Sequence, residues 1–197
     1  MSKAAWVHVA PESGSGNASV AVSSTSPHTG RVASSKALSI SAPNCETKTV
    51  TVNQAGKPEY VSYDSTTATA QQAGQNVTIS GKSNSSKLTF SLGTGALAIS
   101  LPSTYMANSV SIPNGGAISG DPGASAEFPF SITINVPENT STDEKSRQII
   151  VTDNGGHTAT CTLTQSAGDA YLEVSPTTLE LDWQGTAQSF SISSNTT

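Results

Sequence analysis

Val50-Thr51-Val52-Asn53-Gln54-Ala55-Gly56, followed by Tyr60-Val61-Ser62-Tyr63, reads much like Cys161-Thr162-Leu163-Thr164-Gln165-Ser166-Ala167, followed by Tyr171-Leu172-Glu173-Val174. Gln54 and Gln165 stand 111 positions apart, and so do Tyr60 and Tyr171. The same spacing aligns Gly74 with Gly185, and Asn84-Ser85-Ser86 with Asn195-Thr196-Thr197. A fixed period is the mark of tandem modules. Here it divides the chain into part of a module over 1–57, a complete module over 58–168 and part of a module over 169–197. The two partial modules are complementary, which points to assembly rather than catalysis.

Strand signals dominate. Ser19–Ser23, Ala37–Ser41 and Lys48–Val52 alternate apolar and polar residues, the period of a strand with one buried face. Gly14-Ser15-Gly16-Asn17 and Ser26-Pro27-His28-Thr29-Gly30 between them have turn chemistry. With a short strand at Trp6–Val9, the first segment holds three or four strands. In the middle segment strands are expected near Tyr60–Tyr63, Thr67–Ala70, Asn76–Ser80, Lys87–Leu92, Ala96–Leu101, Phe128–Val136, Arg147–Asp153 and His157–Gln165. Asp153-Asn154-Gly155-Gly156 is a hairpin turn. The last segment offers Tyr171–Val174, Thr178–Leu181 and Ala187–Ser193. No stretch of ten residues has helical periodicity, and short strands at regular spacing predict an all-β sandwich. Pro102 to Ala126 is a long insertion rich in Gly, Ser and Pro, and is expected to make contacts outside its own module.

Composition narrows the function. Charged residues make up only 12% of the chain and the net charge is −5. The nine Lys and Arg are scattered and form no basic stripe, which argues against nucleic-acid binding. No run reaches transmembrane length, and Met-Ser-Lys-Ala-Ala-Trp lacks the apolar segment of a signal peptide. Read as a native start, it leaves the product in the cytoplasm where it is made. Cys161 is expected as a small buried hydrophobe and Cys45 as a turn residue, both reduced. His8, His28 and His157 are far apart, and no serine sits in a nucleophile elbow, so no catalytic residue, metal or cofactor is assigned. Asp121 and Glu127 border the insertion with carboxylates of the kind calcium takes, but the reading without a metal is preferred. Five Asn-x-Ser/Thr triplets, at Asn17, Asn76, Asn84, Asn139 and Asn195, are expected from chance in so Ser- and Thr-rich a chain.

Two stretches carry a family look. One runs from Tyr171-Leu-Glu-Val-Ser-Pro through Gly185 to Ser189-Phe-Ser-Ile-Ser-Ser-Asn-Thr-Thr197. The other runs from Trp6-Val-His-Val-Ala-Pro-Glu-Ser-Gly-Ser-Gly-Asn17 to Thr49-Val-Thr-Val-Asn-Gln54. They resemble the beginning and the remainder of a BACON domain, an immunoglobulin-like module found in Bacteroidetes proteins and in the crAss-like phages that infect those bacteria. The middle segment resembles it more loosely, with Leu88 near the family's tryptophan position.

The resemblance implies tandem immunoglobulin-like sandwiches, one complete and one split between the N- and C-terminal segments. Each half alone would expose an apolar sheet face and unpaired edges. The expected interface therefore joins Tyr171, Val174, Leu179, Leu181, Phe190 and Ile192 of one copy to Trp6, Val20, Val22, Leu38 and Ile40 of another, by strand complementation between head and tail. Of the aromatic residues, Trp6 and Tyr171 are expected to pack inside. Tyr105 and Trp183 are the candidates for glycan or partner contact. The implied function is a virion structural protein, an auxiliary or decoration protein of a phage capsid. Its partners would be other copies of itself and the major capsid protein or other virion proteins, with no membrane. The Pro102–Ala126 insertion would make its outside contacts to a capsid surface or a neighbouring copy. The alternative is a carbohydrate-binding module of a Bacteroidetes surface protein.

Overall fold

A computed structural model describes residues 3–196. Met1, Ser2 and Thr197, which the repeat assigns to the first and last segments, lie outside the described residues. The chain is all-β. The first segment holds β1 (Val7–Ala10), β2 (Ala21–Ser24), β3 (Ser34–Ile40) and β4 (Lys48–Gln54). The middle segment holds β5 (Val61–Tyr63), β6 (Thr67–Ala70), β7 (Gln75–Ser83), β8 (Leu88–Gly95), β9 (Thr104–Ala107), β10 (Val110–Pro113), β11 (Phe128–Val136), β12 (Lys145–Asp153) and β13 (Thr158–Gln165). The last segment holds β14 (Leu172–Ser175) and β15 (Ser191–Ser194). A single 3-10 turn, Pro122–Ala124, is the only helical element among the described residues.

The middle segment closes two sheets over one core. One sheet runs β10-β9-β11-β7-β5 and the other β6-β13-β12-β8, with β6 parallel to β13. Strand alternation explains the division of faces. Along β11, Phe128, Phe130, Ile132, Ile134 and Val136 are buried, while the residues between them lie largely outside. Ile149 and Val151 of β12, with Cys161 and Leu163 of β13, fill the same core from the other sheet. Cys161 is buried and Cys45 exposed, both unpaired, in keeping with their positions in the repeat. An aromatic chain runs through this core. The Phe130 ring lies 5.8 Å from Tyr63 and 5.9 Å from Phe90, and Phe90 lies 4.9 Å from Tyr105. Burial pushes the Tyr63 phenol well above its ordinary range, because the charged form loses its water.

The insertion contacts its own core and, through Gly123 and Ala124, the first segment of the same chain. It is a structured part of its own module: β9 and β10 form a hairpin whose turn residues, Asn108 and Ser109, have φ of 48° and 65°. Two successive left-handed residues are the geometry of a type I′ turn, which Asn signals weakly without a following Gly. Tyr105, Ile112 and Ile118 anchor the insertion in the core. Tyr105, expected on the surface, is only 3% exposed because alternation in β9 turns it inward against Phe90. Conversely, Ala96–Leu101 alternates but joins no sheet among the described residues. Leu97 is buried, and its N–H reaches the Ser146 carbonyl at 2.9 Å.

The period reappears in the hydrogen-bond ladders. β3 pairs with β4 from Ser34↔Gln54 to Ile40↔Lys48, and β12 pairs with β13 from Lys145↔Gln165 through Val151↔Ala159, the same register displaced by one repeat period. β14 pairs with β15 as Leu172↔Ser194 to Val174↔Ile192, displaced equally from Val61↔Ser83 to Tyr63↔Gly81 of β5 and β7. One expected strand, Thr178–Leu181, does not form, and another, Ala187–Ser193, is cut short to β15. Thr178–Leu181 and Ala187–Phe190 lie outside the sheets. Their counterparts in the middle segment pair with β13 and β11, and the described residues of the last segment contain no equivalent of either.

Candidate functional site

The segments meet at two joints built to one plan. At the first, Asn84 is fully buried. Its Oδ1 accepts from the Tyr60 N–H at 2.9 Å, and its Nδ2 donates to the carbonyls of Thr29 at 3.3 Å and Pro58 at 3.2 Å. At the second, Asn195 Oδ1 accepts from the Tyr171 N–H at 2.9 Å, and Nδ2 donates to Thr140 at 2.9 Å and Asp169 at 2.8 Å. Asn84 makes a further bond to the Lys57 carbonyl that Asn195 lacks, while the other partners are displaced by one repeat period. So are the main-chain bonds Lys57 N–H to Gly30 O, 2.8 Å, and Gly168 N–H to Ser141 O, 2.7 Å. Beside them, Gln54 donates to Ser26 O at 3.0 Å and Gln165 to Pro137 O at 2.6 Å. An amide side chain suits this place because one planar group satisfies a donor and several acceptors at once.

The first joint carries a clamp in addition. The insertion folds back so that Arg31 N–H bonds Gly123 O at 2.9 Å and Val32 N–H bonds Ala124 O at 3.0 Å. The Arg31 guanidinium grips both carboxylate oxygens of Asp121 and donates to the Asn84 carbonyl at 2.9 Å. The bond to Asp121 raises the Arg31 pKa further, as a bidentate partner of opposite charge should. Glu127 lies between Lys57, 3.6 Å, and Lys82, 3.8 Å, and accepts from the Tyr60 hydroxyl at 2.5 Å. The Tyr60 bond and the lysines hold Glu127 below the usual carboxylate range, while burial and Glu127 push the Tyr60 phenol up to about 12. Asp121 and Glu127, considered above as calcium carboxylates, thus take protein cations as partners. The second joint has Thr142 in the place of Arg31.

Close backbone approach makes the clamp depend on glycine. A Cβ on Gly123 would sit 2.1 Å from the Asn84 carbonyl oxygen, and one on Gly30 would sit 2.3 Å from the Ser125 carbonyl carbon. Gly123→Ala is expected to open the clamp at a cost of about 1–3 kcal/mol while the middle segment stays folded. Hydrogen exchange at Arg31 and Val32 checks this: unchanged protection would show that the approach is not limiting.

The expected interface residues divide clearly. Leu38 is buried with Val7 and Val9, and Trp6 packs half-buried against them. The others are open to solvent: Val20, Val22 and Ile40 in the first segment, and Tyr171, Val174, Leu179, Leu181, Phe190 and Ile192 in the last. Phe190 is 52% and Ile192 63% exposed. Among the described residues the first and last segments share no sheet, so the single chain does not bring the two sets together. Tyr171, expected inside, is exposed because nothing within its segment covers β14. Trp183 is 92% exposed on a turn capped by Asp182, whose carboxylate accepts from the N–H groups of Gln184 and Thr186. Tyr105 is withdrawn as a contact residue because it belongs to the core.

The joint residues were not assigned from sequence. Their signal was the alignment of Asn84 with Asn195, which also falls within Asn-x-Ser/Thr triplets. Burial of Asn84 and Asn139 removes both from solvent as glycan acceptors. Comparison with models of known protein families and with curated proteins finds no match.

Proposed function

We propose that the chain is a virion structural protein, an auxiliary or decoration protein of a phage capsid. It is built from tandem immunoglobulin-like sandwiches of the BACON type, one complete and one split, and assembles head-to-tail by strand complementation. The observation that carries this reading is the contrast between equivalent positions. Val61, Ala70, Ile79 and Val151 are buried in the middle segment, whereas their counterparts Leu172, Leu181, Phe190 and Ile40 are exposed. Apolar sheet faces of this kind are covered in working proteins. Its partners are other copies and, on the virion, the major capsid protein or other virion proteins. No catalytic role is proposed.

Trp183, almost wholly exposed beside a polar turn, favours a second reading as a glycan-binding module of a Bacteroidetes surface protein. A glycan array separates the two: strong binding lost in Trp183→Ala supports the second. The first is tested by deleting residues 171–197. The shortened chain is expected to sediment as a monomer where the full chain forms larger species. Wild-type assembly of the shortened chain would overturn strand complementation.

A further inference from the structure

Several residues at equivalent core positions change size between the middle segment and the outer ones. In the last segment four of them are larger than in the middle one: Leu179 and Leu181 stand where Ala68 and Ala70 stand, Phe190 where Ile79 does, and Ile192 where Gly81 does, while Val174 is smaller than Tyr63. In the first segment the changes go both ways: Ile40 stands where Val151 does and Val50 where Cys161 does, both larger. Val52, which replaces Leu163, is smaller. The repeat period sets Ser19, Ala21 and Ser23 where β11 has Phe130, Ile132 and Ile134. The Phe130 ring lies so close to Gly81 that a Cβ there would meet it at 2.5 Å. Ile192 in the place of Gly81 therefore needs a small residue opposite, and Ser19, one repeat period before Phe130, is small. Core density is nearly constant among proteins, so a larger side chain at Ile192 calls for a smaller one where it packs.

Closure within one chain is opposed by the joints. The first lies at the start of β11 and the second beyond its end. A strand of this length, rising ~3.3 Å per residue, separates them by roughly 30 Å. Folding the last segment onto the first would break the bonds of Asn84 and Asn195.

Resting on the assembly reading above, we propose that the partner is a second copy of this chain and that its register is fixed. Residues 178–181 of one copy would add to the free edge of β4 of the next as a parallel strand, with Thr51 beside Thr178, Val52 beside Leu179, Asn53 beside Glu180 and Gln54 beside Leu181. This copies the pairing of β13 with β6, displaced by one repeat period. Both partners keep the period without insertion: Tyr60 to Asn84 and Tyr171 to Asn195 span equal lengths, and β3–β4 and β12–β13 share one register.

The test uses cysteine pairs in full-length chains carrying Cys45→Ser. Val52→Cys on one copy mixed with Leu179→Cys on another is expected to give a disulfide-linked dimer under mild oxidation, because neighbouring strands bring Cα atoms within disulfide reach. Thr51→Cys mixed with Leu179→Cys is the slipped control, whose side chains face opposite ways, and is expected to stay unlinked. Sedimentation of the same mixtures reports assembly separately. Assembly with no link at Val52, or with the link only at Thr51, overturns the register and leaves the assembly reading standing. A full chain that stays monomeric at all concentrations overturns both.

Discussion

Asn84→Ala is expected to lower the unfolding free energy by about 3 kcal/mol. The side chain is fully buried and takes one N–H while serving the carbonyls of Thr29, Lys57 and Pro58. Alanine removes all of these bonds in a place water does not readily enter, and each buried group left unmet costs roughly 1–3 kcal/mol. Asn84→Asp separates the contributions. It keeps the size and the acceptor for Tyr60, but turns an oxygen towards carbonyl oxygens. It is expected to be at least as damaging at neutral pH and to recover as the pH falls and the carboxyl gains a proton. Asn195→Ala, at a less buried site without the clamp, is expected to cost nearer about 1 kcal/mol. Denaturant unfolding of the three variants checks this ranking. Equal losses at the two joints would mean that burial does not set the cost.

Phe130→Ala is expected to cost about 4 kcal/mol, within the range for emptying a buried aromatic site. Phe130 touches Tyr63 edge-on, leans against Phe90 and covers Gly81, so its loss opens a cavity in the middle of the core. Phe130→Leu is expected to recover more than half of this. A thermal melt showing less than about 1 kcal/mol lost for alanine would mean that the sheets collapse over the gap.

Much of the architecture was legible because period-two alternation and the long sequence repeat reinforce each other. β11 reads straight off Phe130, Ile132, Ile134 and Val136, and Asp153-Asn154-Gly155-Gly156 marks the hairpin of β12 and β13. What escaped notice had weak local signals. Asn108-Ser109 lacks the glycine that announces a type I′ turn, so β9 and β10 were hidden inside a Gly- and Ser-rich stretch. Tyr105 was misplaced with them, since its orientation follows only from knowing that β9 exists. Ala96–Leu101 alternates like a strand because it packs like one, yet a strand also needs a ladder partner, which no single segment encodes. The joint was readable in part. Asn84 and Asn195 aligned, but a triplet pattern common to any Ser- and Thr-rich chain obscured a buried amide. The pairing of Arg31 with Asp121 joins positions far apart in the chain and left no local trace.

The parallel ladder of β6 and β13 bears on how the middle segment would behave under tension. β6 lies near the point where the chain enters this segment and β13 near the point where it leaves. A pull on the two ends draws these strands in opposite directions along their own axes. The bonds between Thr67–Ala70 and Thr162–Gln165 are then stretched together, sideways to their length, instead of being undone one after another like a zip. Resistance to rupture is a matter of rate rather than of equilibrium stability. Seen this way, the β6–β13 ladder is expected to be the part of the segment that gives way last when a single molecule is stretched from its ends.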